Sequence, residues 1–278
     1  MKADYEQANK AQNEKTAAPW RWARLGLGPL ARYRPGLFRK HLAHGFQSDG
    51  GWGVVAHLPA WWPQWSSPEE KLLDRLDLMG QVVYDVGACA GAYSLFFSRR
   101  VGENGRVVAF EPQPKNFTKL ARSLSLNRVG NVQALQLALG ASNGPRPLFK
   151  LPGMSTTASL APEANALFRI RAGAAQVARL DDLVNSRTVP PPHFMKIDVE
   201  GMEVDVLQGA LETLAQHRPS LLIEVHGTSR RAKANCMRQL ATLLAPLGYT
   251  LTHAESGQRW SADAASVPAF GHVFAEAT

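Results

Sequence analysis

The sequence predicts an α/β fold: a seven-stranded, mostly parallel Rossmann-like sheet with an antiparallel last strand pair, helices on both faces, and an N-terminal extension. Three observations carry this expectation. Short apolar runs rich in β-branched residues alternate with helical segments, as parallel strands buried on both faces should. The first run, Val82-Val83-Tyr84-Asp85-Val86, passes into a glycine turn, Gly87-Ala88-Cys89-Ala90-Gly91. The second, Val107-Val108-Ala109-Phe110, ends on Glu111, twenty residues after Gly91. Strand, glycine turn, helix, strand and acidic tip is how an open sheet holds an adenosine-bearing ligand.

The elements follow in order. Residues 1–18 are polar. Residues 19–65 differ from all that follows: Arg21, Arg24, Arg32, Arg34, Arg39 and Lys40 fall between Thr16 and Gln47 with no acidic residue, and Trp20, Trp22, Trp52, Trp61, Trp62 and Trp65 interleave with Gly and Pro. Gly and Pro break any long amphipathic helix, so the segment reads first as an extension whose tryptophans pack on the main domain. The other reading is a basic, aromatic surface for a substrate, a peripheral membrane contact or a nucleic acid. The chain thus divides into an extension, 1–66, and a domain, 67–278.

Ser67-Pro68-Glu69-Glu70 starts a helix, with Pro at its first position and acids in its first turn. It runs to about Leu78, and Gly80 stops it. Strand one is 81–86 and its helix 90–100; strand two is 106–111, with a helix over 114–127; strand three is 132–139. Residues 141–191 read as a looser stretch with one short helix near 180–185. Strand four is 194–199. The next helix carries Met202, Val206, Leu207, Ala210, Leu211 and Leu214 on one face at helical spacing. Strand five, 221–225, is entered through Pro219, and a basic helix covers 230–245. The last strands, 249–254 and 271–276, are joined by a loop, which predicts an antiparallel pair because parallel neighbours need a longer crossover.

Composition bounds the function. A chain of 278 residues, 45% apolar, buries a sizeable core. A net charge of +8 and a pI near 9.7 favour acidic partners without choosing among nucleic acid, anionic lipid and phosphorylated or carboxylated substrates. Two cysteines, Cys89 and Cys236, exclude a disulfide framework and a cysteine zinc site. The polar start lacks a secretory h-region, and no apolar run approaches the roughly 18 residues of a membrane span. A cytoplasmic, reducing setting is expected.

The glycine spacing separates two cofactors. A nicotinamide fingerprint is G-x-G-x-x-G. Here the run Gly87-Ala88-Cys89-Ala90-Gly91-Ala92 lacks the second glycine, which is needed where backbone meets a pyrophosphate. S-adenosylmethionine has no pyrophosphate, and Asp85 before the turn suits its ammonium group. Glu111 can accept hydrogen bonds from both hydroxyls of one ribose.

Further stretches occur in the order of a known family: Tyr84-Asp85-Val86-Gly87-Ala88, Ala109-Phe110-Glu111-Pro112, Leu126-Asn127, Ala138-Leu139-Gly140, Leu180-Asp181-Asp182-Leu183 and Lys196-Ile197-Asp198-Val199-Glu200-Gly201. Glu203, Val206-Leu207-Gln208-Gly209-Ala210 and the segment from Pro219 to Glu224 continue the pattern. Over roughly residues 80–226 the chain resembles FkbM-type S-adenosylmethionine-dependent methyltransferases of the class I superfamily. Cys89 departs from the pattern, which usually has Asn there. The resemblance implies methyl transfer to a hydroxyl of a sugar, glycan or natural product. It also implies a cofactor site in which Asp85 holds the methionine ammonium and Gly87, Ala88 and Gly91 line the methionine part. Glu111 takes the ribose, Pro112 packs by the adenine, and Ala138 and Leu139 offer backbone and an apolar edge to the base.

The chemistry is expected where open sheets bind ligands, at the carboxyl ends of strands one, four and five. Lys196, Asp198 and Glu200 alternate through the end of strand four, and residues two apart share a face. Asp198 is expected to face the methyl group and the acceptor, with Glu200 nearby, and Lys196 to pair with a carboxylate. Glu224 and His226 end strand five, and His226 is the candidate base because an unperturbed imidazole is neutral near pH 7. These oxygens could hold one Mg²⁺, which is not the favoured reading. Ser155-Thr156-Thr157-Ala158-Ser159 lies in the long loop and could touch substrate. The alternative function is an RNA-binding protein or RNA methyltransferase. The basic segment favours it, but Asp198-Val199-Glu200-Gly201 is not the Asn/Asp-Pro-Pro-Tyr-like motif of base methylation, so nucleic acid is not the expected partner. Oligomeric state has no signal in the sequence.

Overall fold

The computed structural model describes residues 68–150, 158–160, 170–227, 229–260 and 271–277. The basic extension 1–66 and Ser155-Thr156-Thr157 lie outside the described residues. Helix α1 (Pro68–Arg75) leads to β1 (Val82–Val86), α2 (Ala92–Val101), β2 (Arg106–Phe110), α3 (Pro114–Leu126), β3 (Val132–Leu135), β4 (Ala138–Leu139), β5 (Gly144–Lys150), β6 (Ala158–Ser159) and β7 (Ile170–Ala178). Then come α4 (Leu180–Asn185), β8 (Phe194–Ile197), α5 (Glu203–Gln208), α6 (Leu211–His217), β9 (Ser220–Glu224), α7 (Arg230–Leu244), β10 (Tyr249–His253), β11 (Arg259–Trp260) and β12 (His272–Ala277).

The main sheet has the order β11-β10-β12-β9-β8-β1-β2-β3. The seven expected strands are all present in it, and the two-residue β11 is an addition at its edge. Strands β3, β2, β1, β8 and β9 are mutually parallel. The last strand, β12, runs antiparallel to both β9 and β10 and lies between them. The chain builds outward from β1 to β2 and β3, then returns to lay β8 on the other side of β1. Strand β1 is therefore the switch point of the sheet, where a crevice opens at the carboxyl ends.

Both faces of the sheet are covered. One carries Tyr84, Val86, Val108, Ile197 and Ile223 against Leu180, Val206, Leu214, Leu240 and Leu244 of α4, α5, α6 and α7. The other carries Val83, Val107, Phe194 and Leu222 against Leu73 of α1 and Phe96, Phe97 and Val101 of α2. Period-two alternation of the strands feeds both layers, which is why these strands read as continuous apolar runs. No described helix is long and apolar enough to cross a membrane.

Three expectations change. The single strand over 132–139 is two strands in two sheets: β3 ends at Leu135, while Ala138 and Leu139 pair with Val177 and Ala178. The described parts of the stretch 141–191 are not loose. They form most of a second sheet, ordered β4-β7-β5-β6. Its strands after β4 are rich in Ala, Gly and Pro, residues of low strand propensity, and among their described residues Leu148, Ala175 and Val177 give the buried face. The apolar period is too thin to detect. The predicted continuous helix after strand four is broken at Gly209-Ala210. A Cβ on Gly209 would overlap the Gly140 carbonyl, so the absence of a side chain lets α5 close onto the second sheet. The Asp181 carboxylate then accepts from the Thr213 and Glu212 N–H groups and caps α6.

Candidate active site

Strand register sets the site. Leu135, Phe110, Val86, Ile197 and Ile223 form one row across five strands. The next residue on each of the inner four is Glu111, Gly87, Asp198 and Glu224, so the sheet itself places these groups along its carboxyl edge. Gly87 has φ +92°, and a Cβ there would overlap the Asp198 carbonyl. The two central strand tips can approach this closely only with glycine at that position.

A cavity of about 250 Å³ opens over this row, just under the ~300–1,000 Å³ common for small-molecule sites. Gly87, Cys89, Glu111, Pro112 and Asn116 line one end of it, and Asp198, Glu200 and Met202 the other. Leu137, Ala138, Leu139, Leu148 and Leu160 form an apolar wall, much of it from the second sheet. Of the predicted cofactor residues, Gly87, Glu111, Pro112, Ala138, Leu139 and Asp198 line the cavity. Asp85, Ala88 and Gly91 lie behind it. The Asp85 carboxylate accepts from the Ser94 hydroxyl at 2.6 Å and is 1% exposed. Gly91 precedes α2 and faces Leu120.

At the β2 end, Glu111 is the only carboxylate lining the cavity among the described residues. Its two oxygens accept from the backbone N–H groups of Cys89 and Gln113, each at 2.8 Å. Burial pushes its carboxyl up to about 7, against these hydrogen bonds, which favour the charged form. Cys89 adopts φ +51°, a strained conformation for a residue with a side chain, and so aims its N–H at Glu111.

At the β8 and β9 end the pattern inverts. Several carboxylates surround one imidazole. His226 Nδ1 bonds the buried Glu203 carboxylate at 2.7 Å, which turns Nε2 toward Asp198 (3.7 Å), Glu200 (3.9 Å) and Glu224 (3.9 Å). Burial alone would lower the imidazole. The Glu203 hydrogen bond and the charges of Glu203, Asp198 and Glu200 outweigh it and lift His226 to about 9. The imidazole expected to be neutral near pH 7 is therefore held protonated past neutrality, because the sequence did not show how many carboxylates converge on it. Burial raises the Glu200 carboxyl, and its backbone has φ +54°. Lys196 bonds Asp198 at 3.0 Å and lies 4.3 Å from the Tyr93 ring centroid, the carboxylate pairing expected of it.

Sequence reasoning did not single out Asn116, Glu203 or His272 for the site. Glu203 stands in the family pattern, but nothing in its spacing points to His226. His272, on β12, lies 3.5 Å from Glu224 and, with its hydrogen bond, helps hold that carboxyl well below the usual range. Only the insertion of β12 beside β9 brings it there.

Asp198, Glu224 and His226 each offer an atom within 4.8 Å of the others, a spacing compatible with one cation. The donors suit Mg²⁺ poorly. An ion would have to displace the His226 proton and share Asp198 with the Lys196 ammonium, whereas Mg²⁺ prefers an all-oxygen set with retained water.

A doubly wound sheet with a carboxylate-bearing cavity at its switch point defines the chain as an open α/β protein with its crevice where such folds bind ligands. Residues 85–251 match the family model of the FkbM methyltransferase domain, and the chain belongs to that family of enzymes. It is 27% identical over 208 residues to the methyltransferase sdnD of Sordaria araneosa, covering 65% of this chain and 77% of the relative. It is 31% identical over 150 residues to the hexuronic acid methyltransferase AglP of Haloferax volcanii, covering 52% of this chain but only 56% of that protein. The crystal structure of an FkbM methyltransferase from Methylobacillus flagellatus superposes with a TM-score of 0.49 at 17% identity, over 76% of this chain and 50% of the other.

Proposed function

We propose that the domain 67–278 transfers the methyl group of S-adenosylmethionine to a hydroxyl of a small molecule, a sugar or a glycan. The observation that carries this reading is the single row of strand tips. It sets Glu111 at one end of the cavity and Asp198 and Glu200 at the other, with the Gly87 tip between them in the row; Glu224 and His226 stand beside Asp198 and Glu200 but do not line the cavity. The ribose donates to Glu111, whose carboxylate keeps about one of its roughly four acceptor sites beyond the two backbone N–H groups and the Asn116 side chain. The apolar wall covers the adenine. The acceptor oxygen lies against Asp198 and attacks the methyl carbon in line. The carbon–sulfur bond breaks, S-adenosylhomocysteine leaves as a neutral thioether, and the hydroxyl proton is released. Alignment supplies much of the acceleration.

His226 is the proposed proton acceptor, and it is competent only as the pH approaches 9. Glu200, raised by burial, is the group that serves below that pH. The sugar acceptor of the archaeal relative supports a glycan or natural-product acceptor. The four carboxylates at the acceptor end repel a polyphosphate, which weighs against RNA despite the +8 charge. A cytoplasmic location, and acceptor or membrane contact through residues 19–65, belong to the same proposal.

The test is methyl transfer from labelled S-adenosylmethionine to fractionated metabolites and glycans, followed across pH. Label in a methyl ether supports the reading. Label confined to nitrogen or to RNA removes it. A rate that levels off by pH 7 moves the base from His226 to a carboxylate.

A further inference from the structure

Glu111 is supported from three directions. Two supports are the backbone N–H groups of Cys89 and Gln113. The third is the side chain of Asn116, which hydrogen-bonds the same carboxylate. Asn116 is the third residue of α3, 2% exposed, and lines the cavity. Its own N–H donates to the side chain of Gln113 at 2.8 Å, the cap of α3. The first turn of the helix therefore fixes both Asn116 and Gln113 against the carboxylate. Two of the three donors are main chain, and Asn116 is the support that a substitution can remove.

We propose that Asn116 is a positioning residue for the cofactor, holding the Glu111 carboxylate ionised and aimed at the ribose hydroxyls. This rests on reading Glu111 as the ribose ligand. The charged and titratable groups facing Glu111 are Asp85 from β1, the Cys89 thiol from the turn, and Asp198 across the cavity. Lys119, a turn further along α3, acts on Cys89. Burial pushes the Cys89 thiol up to about 12, so it carries no charge in the working range. Asp85 and Asp198 are like charges, and neither helps ionise Glu111. That leaves the hydrogen bonds to do so.

The sign of the pH effect follows. In the empty cavity Glu111 protonates as pH falls through about 7. A protonated carboxyl has lost an acceptor oxygen, so cofactor binding expels the proton. Affinity rises with pH toward 7 and levels off above it. Without the Asn116 donor the carboxyl protonates more readily, and the rise moves to higher pH.

Calorimetric titration of S-adenosylhomocysteine from pH 6 to 9 tests this on the full chain, with wild type, Asn116→Ala, Asn116→Asp and Glu111→Gln compared and melting curves recorded for each. Asn116→Ala is expected to bind about tenfold more weakly at pH 7, the effect of one hydrogen bond to a charged group, and to recover toward pH 9. Asn116→Asp keeps the first turn of α3 and sets a second carboxyl beside Glu111, so it binds more weakly still at neutral pH. A loss of equal size at every pH is packing alone and overturns the proposal, as does unchanged affinity in both Asn116 variants. If Glu111→Gln binds as tightly as wild type, the ribose reading fails and the inference falls with it. Loss in Glu111→Gln without any pH shift in the Asn116 variants sinks the inference and leaves that reading standing.

Discussion

The two ends of the cavity solve opposite electrostatic problems. At the β2 tip one buried carboxylate, Glu111, is ringed by neutral N–H donors. At the β8 and β9 tips several carboxylates ring one imidazolium, with Lys196 beneath them. A neutral cradle holds Glu111 at the edge of ionisation, so ligand hydroxyls complete its solvation. A charged cradle fixes the acidic cluster in place before any ligand arrives. In the proposed reaction the first end captures polar hydroxyls, and the second keeps its geometry while a proton leaves.

Gly87 joins the two ends, and breaking it is expected to have the largest effect. Gly87→Ala places a Cβ on the Asp198 carbonyl in a conformation that already costs about 1–3 kcal/mol for a non-glycine residue. It should both lower the melting temperature and abolish cofactor binding, read by thermal denaturation and calorimetry. Retained binding with an unchanged melting temperature would show that the tips are not in contact.

Glu111→Ala should act at one end only. Loss of one to two charge-assisted hydrogen bonds, each about 1.5–3 kcal/mol, weakens S-adenosylhomocysteine binding by at least about tenfold. NAD should not bind either protein. His226→Ala should act at the other end, lowering kcat by about 10²–10⁴-fold near and above pH 9, where the imidazole loses its proton, with cofactor affinity unchanged. Glu203→Gln removes the charge that helps raise His226 and should move the alkaline rise in rate to lower pH. Equal damage to cofactor affinity in His226→Ala would dissolve the distinction between the ends.

Chelation sharpens the comparison further. EDTA should leave cofactor affinity unchanged, because no cavity residue at the β2 end belongs to the Asp198, Glu224 and His226 group. If it abolishes methyl transfer and Mg²⁺ restores it, those side chains are metal ligands first. The smallest expected effect is on stability. The folded pKa of His226 lies above the unfolded value near 6.5, so its contribution is complete below pH 6.5 and is lost as pH rises through about 9. His226→Ala should lower Tm at pH 6, by about 2–4 °C per kcal/mol lost, and have little effect at pH 9.5.

Much of the β2 end of the cavity was legible because its parts are close in sequence. Gly87 and Glu111 follow their strands directly, and a turn between strand and helix leaves its signature in glycine spacing. The same logic read Asp198 and Lys196 from period-two alternation. Asp85 and Gly91 carried that signature too, yet they lie behind the cavity wall, since spacing does not say which side of a turn faces a ligand. The second sheet was illegible because small and polar residues give its strands no apolar period, although Leu148 and Leu160 from it complete the cavity.

By itself the sequence determined the alternation of strands and helices, the antiparallel ending, the family and the residues at the strand tips. These depend on local steric and hydrophobic patterns that the chain carries along its length. Tertiary structure alone decided the charge on His226, the support of Glu111 by Asn116, and the hold of His272 on Glu224. Each depends on the burial and the number of charged or hydrogen-bonding neighbours at a point in space. Those neighbours come from Glu203 on α5, the first turn of α3 and the inserted strand β12, which only the folded sheet brings together.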